Sequence, residues 1–185
     1  MTGVYVIIAG RTDDNGKPLA LKEVDGESLL SHHVHTGQLA KLGGPICVLG
    51  PEGDVTKSAH VDFPVHFVAS DSTELRDWVR TGLAAVPKDN VAFFTPVEHL
   101  PPRIDSLDQL IEALESLPES QVALRPLMRD KPGYPIILMP EAVSEILAQS
   151  SFTELEAWAR QAQQEGRLAE IEVDDYNVLG DSIRP

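Results

Sequence analysis

Short apolar runs alternate along the chain with longer stretches in which apolar residues recur every three or four positions. A run of four to six apolar residues bounded by turn formers suits a buried strand, whereas the three-to-four spacing puts apolar side chains on one face of a helix. The runs predict strands over 4–9, 45–49, 65–68, 91–94, 122–124, 136–138 and 169–173, and the periodic stretches predict helices over 28–42, 72–86, 106–117, 141–148 and 153–165. In the helix over 106–117, Leu107, Leu110, Ile111 and Leu114 form the apolar stripe while Asp108, Glu112 and Glu115 fall off it, so that helix packs flat on a sheet. Ser72, Ser106 and Thr153 read as hydroxyl caps for the free N–H groups of a first turn. Gly43-Gly44 reads as the end of the first helix and Pro140 as the start of another directly after a strand. Segments 101–102 and 125–133 read as loops, the second as a mobile flap, and Trp78 and Trp158 read as core anchors.

Strands alternating with helices are the pattern of βαβ units, which predicts an α/β fold with a mainly parallel sheet. In such sheets ligands bind beyond the carboxyl ends of the strands, and three segments fall there: 10–17, 95–101 and 125–133. In the first, the run ending at Ala9 breaks at Gly10 into Arg11-Thr12-Asp13-Asp14-Asn15-Gly16-Lys17. A glycine-bearing loop with basic residues can offer backbone N–H groups and a cation together to a phosphate. Neither the Walker spacing nor the dinucleotide GxGxxG spacing is present.

Composition narrows the setting. A chain of 185 residues predicts one domain spanning 1–185, and 42% hydrophobic with 24% charged residues places it with folded rather than disordered chains. A net charge of -14 disfavours nucleic acid or an anionic membrane as partner, because both are bound by surplus Lys and Arg. Cys47 has no second cysteine to pair with and sits in an apolar run, which reads as a buried small hydrophobe in a reducing compartment. No run approaches the roughly 20 apolar residues that span a bilayer, and the start lacks the features of a signal peptide, so the expected localisation is cytoplasmic. His32 and His35 share a helix face and His33 points elsewhere, which leaves two metal ligands at most; the group reads as a helix face. Asp174-Asp175 reads as a turn after the last strand.

Gly16-Lys17-Pro18-Leu19-Ala20 and Gly26-Glu27-Ser28-Leu29-Leu30 resemble the first loop and the "GxPLL" turn of the MobA-like NTP transferase superfamily. Further stretches follow in the same order. Ser72-Thr73-Glu74-Leu75-Arg76 through Ala85 resembles "SSLRxGLxA", Thr95-Pro96-Val97-Glu98 the strand that ends in "DxP", Gly133-Tyr134-Pro135-Ile136 "GHPVLL", and Asp181-Ser182-Ile183-Arg184-Pro185 "DIDTP". The nearest branch is the molybdopterin cytidylyl- and guanylyltransferases. The resemblance implies a three-layer α/β/α Rossmann-like fold with a mostly parallel mixed sheet. It also implies transfer of a nucleoside monophosphate from a Mg²⁺-bound NTP to a phosphorylated small molecule, either a molybdopterin-type cofactor or a sugar phosphate. Carried over by position, Ala9, Gly10, Arg11, Lys17, Ser72, Thr73 and Arg76 surround the nucleotide, and Lys17 and Glu98 serve catalysis. Arg125, Gly133 and Tyr134 meet the acceptor, and Glu98 and Asp181 hold Mg²⁺. Lys17 and Glu98 are expected to face each other across one crevice.

The chain also departs from that pattern. Arg11 stands at the loop's second glycine, Glu98 at the "DxP" aspartate and Ile183 at the second aspartate of "DIDTP", while Asp13 and Asp14 bring negative charge toward the phosphates. These changes support a second reading: a non-catalytic member of the fold that binds nucleotide or serves as an assembly subunit, as a homodimer or with a partner protein. A glycosyltransferase using an NDP-sugar would call for Asp-x-Asp at the end of a middle strand, and the sequence has none.

Overall fold

The computed structural model describes residues 2–51, 53–57 and 61–179. Asp181 and the rest of the stretch that resembles "DIDTP" lie outside the described residues. In chain order the elements are β1 (Gly3–Ile8), β2 (Glu23–Val24), β3 (Glu27–Ser28), α1 (Leu29–Leu39), β4 (Gly43–Leu49), α2 (Asp54–Lys57), β5 (His66–Ala69), α3 (Leu75–Ala85) and β6 (Val91–Pro96). They continue with α4 (Ile104–Glu115), β7 (Ala123–Met128), β8 (Lys131–Pro132), β9 (Ile136–Leu138), α5 (Pro140–Ala148), α6 (Leu155–Gln164) and β10 (Leu168–Glu172). The main sheet runs β10-β7-β9-β6-β1-β4-β5, with β8 paired to β7, while β2 and β3 form a small hairpin of their own. β9 is antiparallel to β6 and β7, and β8 to β7; the other pairings of the main sheet are parallel.

β1 shows why this is a three-layer α/β/α arrangement. Val4, Val6 and Ile8 join Trp78, Leu83, Val143, Ile146 and Trp158 of α3, α5 and α6. Tyr5 and Ile7 join Leu29, Leu30, Val34, Leu107 and Leu110 of α1 and α4 on the opposite face. A strand covered on both faces must be apolar at every position, which is why this one reads as an unbroken run. Both tryptophans anchor the first of these cores, as expected. Cys47 is buried in the second, and burial pushes its thiol up to about 12.

Several boundaries differ from the sequence reading. β7 continues through Arg125 and Pro126 to Met128 and turns at Arg129 and Asp130, both at positive φ, into β8, so 125–133 is a hairpin rather than a mobile flap. α4 begins at Ile104, which leaves Ser106 buried inside the helix, and α6 begins at Leu155 with Glu154 at its N-cap. α3 begins at Leu75; the Ser72 hydroxyl, ahead of the helix, accepts from the Glu74 N–H and donates to Asp77. α1 has a side-chain cap, Ser28 Oγ accepting from the Ser31 N–H. It ends at Leu39, Lys41 at φ 55 reverses the chain, and Gly43-Gly44 open β4 instead of closing the helix. No helix among the described residues is long and apolar enough to cross a membrane.

Candidate functional site

The chain passes from β1 to β4 and β5 on one side of the sheet and to β6 on the other, so a crevice opens where the strand order reverses. The strand ends around it are tied by backbone bonds, Ala9 N–H to the Val48 carbonyl (2.8 Å) and Val97 N–H to the Ile8 carbonyl (3.0 Å). Beyond them lies a hollow of about 400 Å³ lined by Gly10, Arg11, Thr12, Pro51, Thr73 and Trp78. Three residues expected around a nucleotide, Gly10, Arg11 and Thr73, therefore meet in one place. Its floor is the Trp78 indole. A Cβ built on Gly10 would stand 2.8 Å from that ring, so the ring must move to admit any side chain there, and one on Gly50 would stand 3.1 Å from it, a tight contact. The indole N–H donates to the Ser72 carbonyl at 2.6 Å, which ties the segment after β5 to the same floor.

Arg11 also lines a smaller cavity of about 150 Å³ with Glu98, His99, Tyr134, Glu154 and Glu156, over an apolar base that includes Ile8, Val79 and Phe94. Arg11 Nε stands 3.1 Å from Glu98 Oε1; the arginine is half exposed, whereas the Glu98 side chain is 13% exposed. The other oxygen, Glu98 Oε2, is buried and has no hydrogen-bond partner among the described residues. Burial raises the Tyr134 phenol above its ordinary range, and the carboxylates of Glu156, Glu98 and Glu154 push it the same way. Tyr134 thus keeps its proton in an acidic cavity, with Glu156 as its side-chain hydrogen-bond partner.

The loop after β1 folds on itself. Asp13 Oδ1 accepts from the N–H groups of Asn15 and Lys17, both at 2.9 Å; Asp13 N–H donates to the Lys17 carbonyl and Leu19 N–H to the Arg11 carbonyl. The backbone N–H groups of Asp13, Asn15, Gly16 and Lys17 are therefore satisfied by the loop itself, and Asp13 holds the turn rather than projecting charge at a ligand. Lys17 lines a separate hollow of about 540 Å³ with Asp13, Pro18, Lys22 and Val55. Lys17 and Glu98 do not share a crevice; Arg11 is the cation that meets Glu98.

The other expected site residues fall as follows. Ala9 is buried at the end of the first strand. Ser72 has its hydroxyl engaged as described, and Arg76 is half exposed with its Nε 3.6 Å from Asp77. Arg125 is 3% exposed and held by Glu170 at 2.8 Å and Glu156 at 3.5 Å, which turns its guanidinium toward β10 and α6 instead of an open acceptor site. Gly133 packs on the turn at Tyr176–Leu179, where a Cβ would stand 2.5 Å from the Val178 carbonyl oxygen. Tyr134 donates its backbone N–H to that same carbonyl at 2.8 Å.

Magnesium needs near-octahedral oxygen ligation. Glu98 Oε2 is an unmet acceptor, but Glu98 Oε1 already bears a guanidinium, and no group of three or more His, Cys, Asp or Glu among the described residues is placed to hold a metal ion. A dication on Oε2 would face the Arg11 charge across a single carboxylate. The described residues do not fit Mg²⁺.

Sequence reasoning overlooked His33. It is fully buried; its Nε2 lies 2.7 Å from the His99 carbonyl, 66 residues along the chain, and its Nδ1 lies 3.2 Å from the Tyr5 hydroxyl. A carbonyl can only accept, so Nε2 carries the proton and Nδ1 accepts from Tyr5, whose hydroxyl interacts in turn with Thr95. The chain of bonds pins the turn that carries Glu98 and His99. Nothing in the spacing of three helix histidines marks one of them as buried; that follows from the docking of α1 on the sheet. Burial pulls the His33 imidazole from 6.5 down to about 4. The unfolded chain therefore binds a proton between those values that the folded chain refuses, and stability falls as pH drops from 6.5 toward 4, by about 3 kcal/mol for this group. Urea unfolding across that window should lose this slope in His33→Leu; an unchanged slope would refute the assignment.

No protein-family model matches the chain, and no curated protein matches it. Solved structures do. Rv0371c from Mycobacterium tuberculosis H37Rv superposes with a TM-score of 0.81 at 16% identity, over 98% of this chain and 94% of that one, and a manganese complex of it with a TM-score of 0.75 at 14% identity. A nucleotidyl transferase from Methanothermobacter superposes at 0.72 with 14% identity, covering 97% and 94%. The 4-diphosphocytidyl-2C-methyl-D-erythritol synthase of Anaerococcus prevotii also gives 0.72 with 14% identity, covering 99% and 93%. At these identities the likeness establishes a shared fold.

Proposed function

We propose that this chain binds a nucleoside triphosphate in the hollow at Gly10, Arg11 and Thr73 and transfers its nucleoside monophosphate to a phosphorylated small molecule. The observation that carries the reading is the meeting of those three residues with the Arg11–Glu98 pair at the reversal of strand order, on a fold shared with nucleotidyl transferases. In the reaction an acceptor phosphate oxygen bonds to the α-phosphorus while the bond to the departing bridging oxygen breaks, and pyrophosphate leaves. Enzymes assist such displacements chiefly by positioning the groups and offsetting negative charge.

Arg11 offsets that charge, and Gly10 and Thr73 border the nucleoside. Tyr134, on the wall of the cavity that Arg11 and Glu98 share, borders the acceptor. The likeness of 72–85 and 133–138 to the molybdopterin cytidylyltransferase segments favours a molybdopterin-type acceptor, with a sugar phosphate as the other phosphorylated class. A divalent cofactor has its support in the manganese complex of the similar Rv0371c, while the described residues of this chain do not themselves fit Mg²⁺.

The test is thermal unfolding with each of four NTPs, followed by pyrophosphate release with acceptor present. A ligand at about 100 times its Kd adds about 2.7 kcal/mol to stability, and the base that does so names the donor. If no NTP stabilises the fold, the proposal fails. The Arg11 guanidinium on the Glu98 carboxylate, where a metal ligand was expected, favours the second reading, a nucleotide-binding subunit without turnover; NTP binding with no pyrophosphate release for either acceptor class would select it.

A further inference from the structure

We propose that the Arg11 guanidinium, held from behind by Glu98, takes the place of a protein-bound divalent ion, so that this chain grips polyphosphate without a metal; the inference rests on the nucleotide-binding reading of the same hollow. Three observations carry it. Among the described residues, the hollow at Gly10, Thr12, Pro51, Thr73 and Trp78 has Arg11 as its one charged lining residue, and that charge is a cation. The carboxylate that the sequence pattern would assign to a metal is within 3.1 Å of the guanidinium Nε, and among the described residues no hydrogen bond engages the two terminal nitrogens. Those nitrogens form the fork that meets phosphate oxygens in a planar, bidentate way. Finally, Asp13 closes the Asn15 and Lys17 amides at the far end of the loop, which leaves the Arg11 side chain as the cation on the hollow beside the backbone of residues 10–12.

Glu98 acts as the holder. A buried carboxylate on Nε limits the rotamers of a long side chain and leaves its distal face free, which reduces the ordering cost of binding. The arrangement also fixes the sign of a metal effect. Mg²⁺ chelated by the ligand neutralises the charge that the guanidinium recognises, so added metal should leave binding unchanged or weaken it.

The experiment is calorimetric titration of the full chain with inorganic tripolyphosphate, a probe that carries no base, and with the NTPs, in EDTA and in excess Mg²⁺ or Mn²⁺. Binding in EDTA should equal or exceed binding with metal, and Arg11→Gln should weaken it by about tenfold or more, with Arg11→Lys intermediate because a point charge cannot form the fork. Arg11→Gln strands the Glu98 carboxylate and should lower the unfolding temperature, so binding is titrated well below that temperature, where a circular dichroism spectrum matching the parent's separates lost binding from lost folding. Binding that requires metal, with Mn²⁺ alone titrating into the apo chain, overturns the inference; if NTP and acceptor then release pyrophosphate, the transferase reading survives without it. Metal-free tripolyphosphate binding with no NTP response leaves the arginine anchor standing and removes the transferase reading.

Discussion

Replacing Trp78 by alanine is expected to cost about 3–5 kcal/mol of stability, the range for removing a buried aromatic from a packed core, and to blunt nucleotide binding as well. The side chain is 6% exposed and joins α3 to the Val6, Ile8 and Val48 face of the sheet. It also fills the space beneath Gly10 and Gly50 and receives the segment after β5 through its bond to the Ser72 carbonyl. Core and site thus meet in one residue. Trp78→Phe retains much of the packing and loses the N–H, so it should lie about 1 kcal/mol above the packing loss alone. Urea midpoints for both variants measure the two terms, and a Trp78→Ala loss under 1 kcal/mol would show that the indole is not the floor described. Gly10→Ala tests the same contact from the other side, since its Cβ cannot be placed without moving the ring.

Truncating Glu170 should be nearly as damaging, for an electrostatic reason. Arg125 is buried, and Glu170 Oε1 accepts from both its Nε and its Nη2, at 3.0 and 2.8 Å. Glu170→Ala leaves the guanidinium with the Glu156 carboxylate at 3.5 Å and the Gln163 amide at 3.4 Å, and breaking such a buried pair costs about 3–5 kcal/mol. The double variant Arg125→Met with Glu170→Leu should recover most of that loss, because an apolar pair of similar volume removes the stranded charge. If the double variant is as unstable as Glu170→Ala, loss of packing rather than a stranded charge is responsible. The result also bears on the acidic cavity, since Glu156 lies between Arg125 and Tyr134.

Much of the architecture was legible in residue order. Every strand expected from an apolar run is present, and the helices over 106–117 and 141–148 required only small shifts at their ends. The misreadings share a cause. Ser106 and Thr153 have cap chemistry, yet helix starts follow where the apolar stripe docks, and 125–133 looks loop-like until β8 pairs with β7. The small hairpin of β2 and β3 and the one-turn helix α2 are too short to leave a periodic signal.

The candidate site was half readable. Gly10, Arg11 and Thr73 were named from the first loop and the segment after β5, and they meet. Lys17 was matched with Glu98 from motif spacing, but Asp13 folds that loop into a hairpin and Arg11 takes the carboxylate. The resemblance, with 125–133 read as a loop at a strand end, implies an acceptor contact for Arg125; inside β7 its charge faces β10.

By its order of residues alone, this chain determined which segments become strands and helices and which faces are apolar, because those follow from periods of two and three to four residues. Which charge meets which was left to the tertiary structure. The partners of Arg11, Arg125 and His33 are brought near by strand order and by the docking of helices on two faces of one sheet. Ion pairs act over a few ångströms of space whatever the separation along the polymer, so no local pattern could announce them.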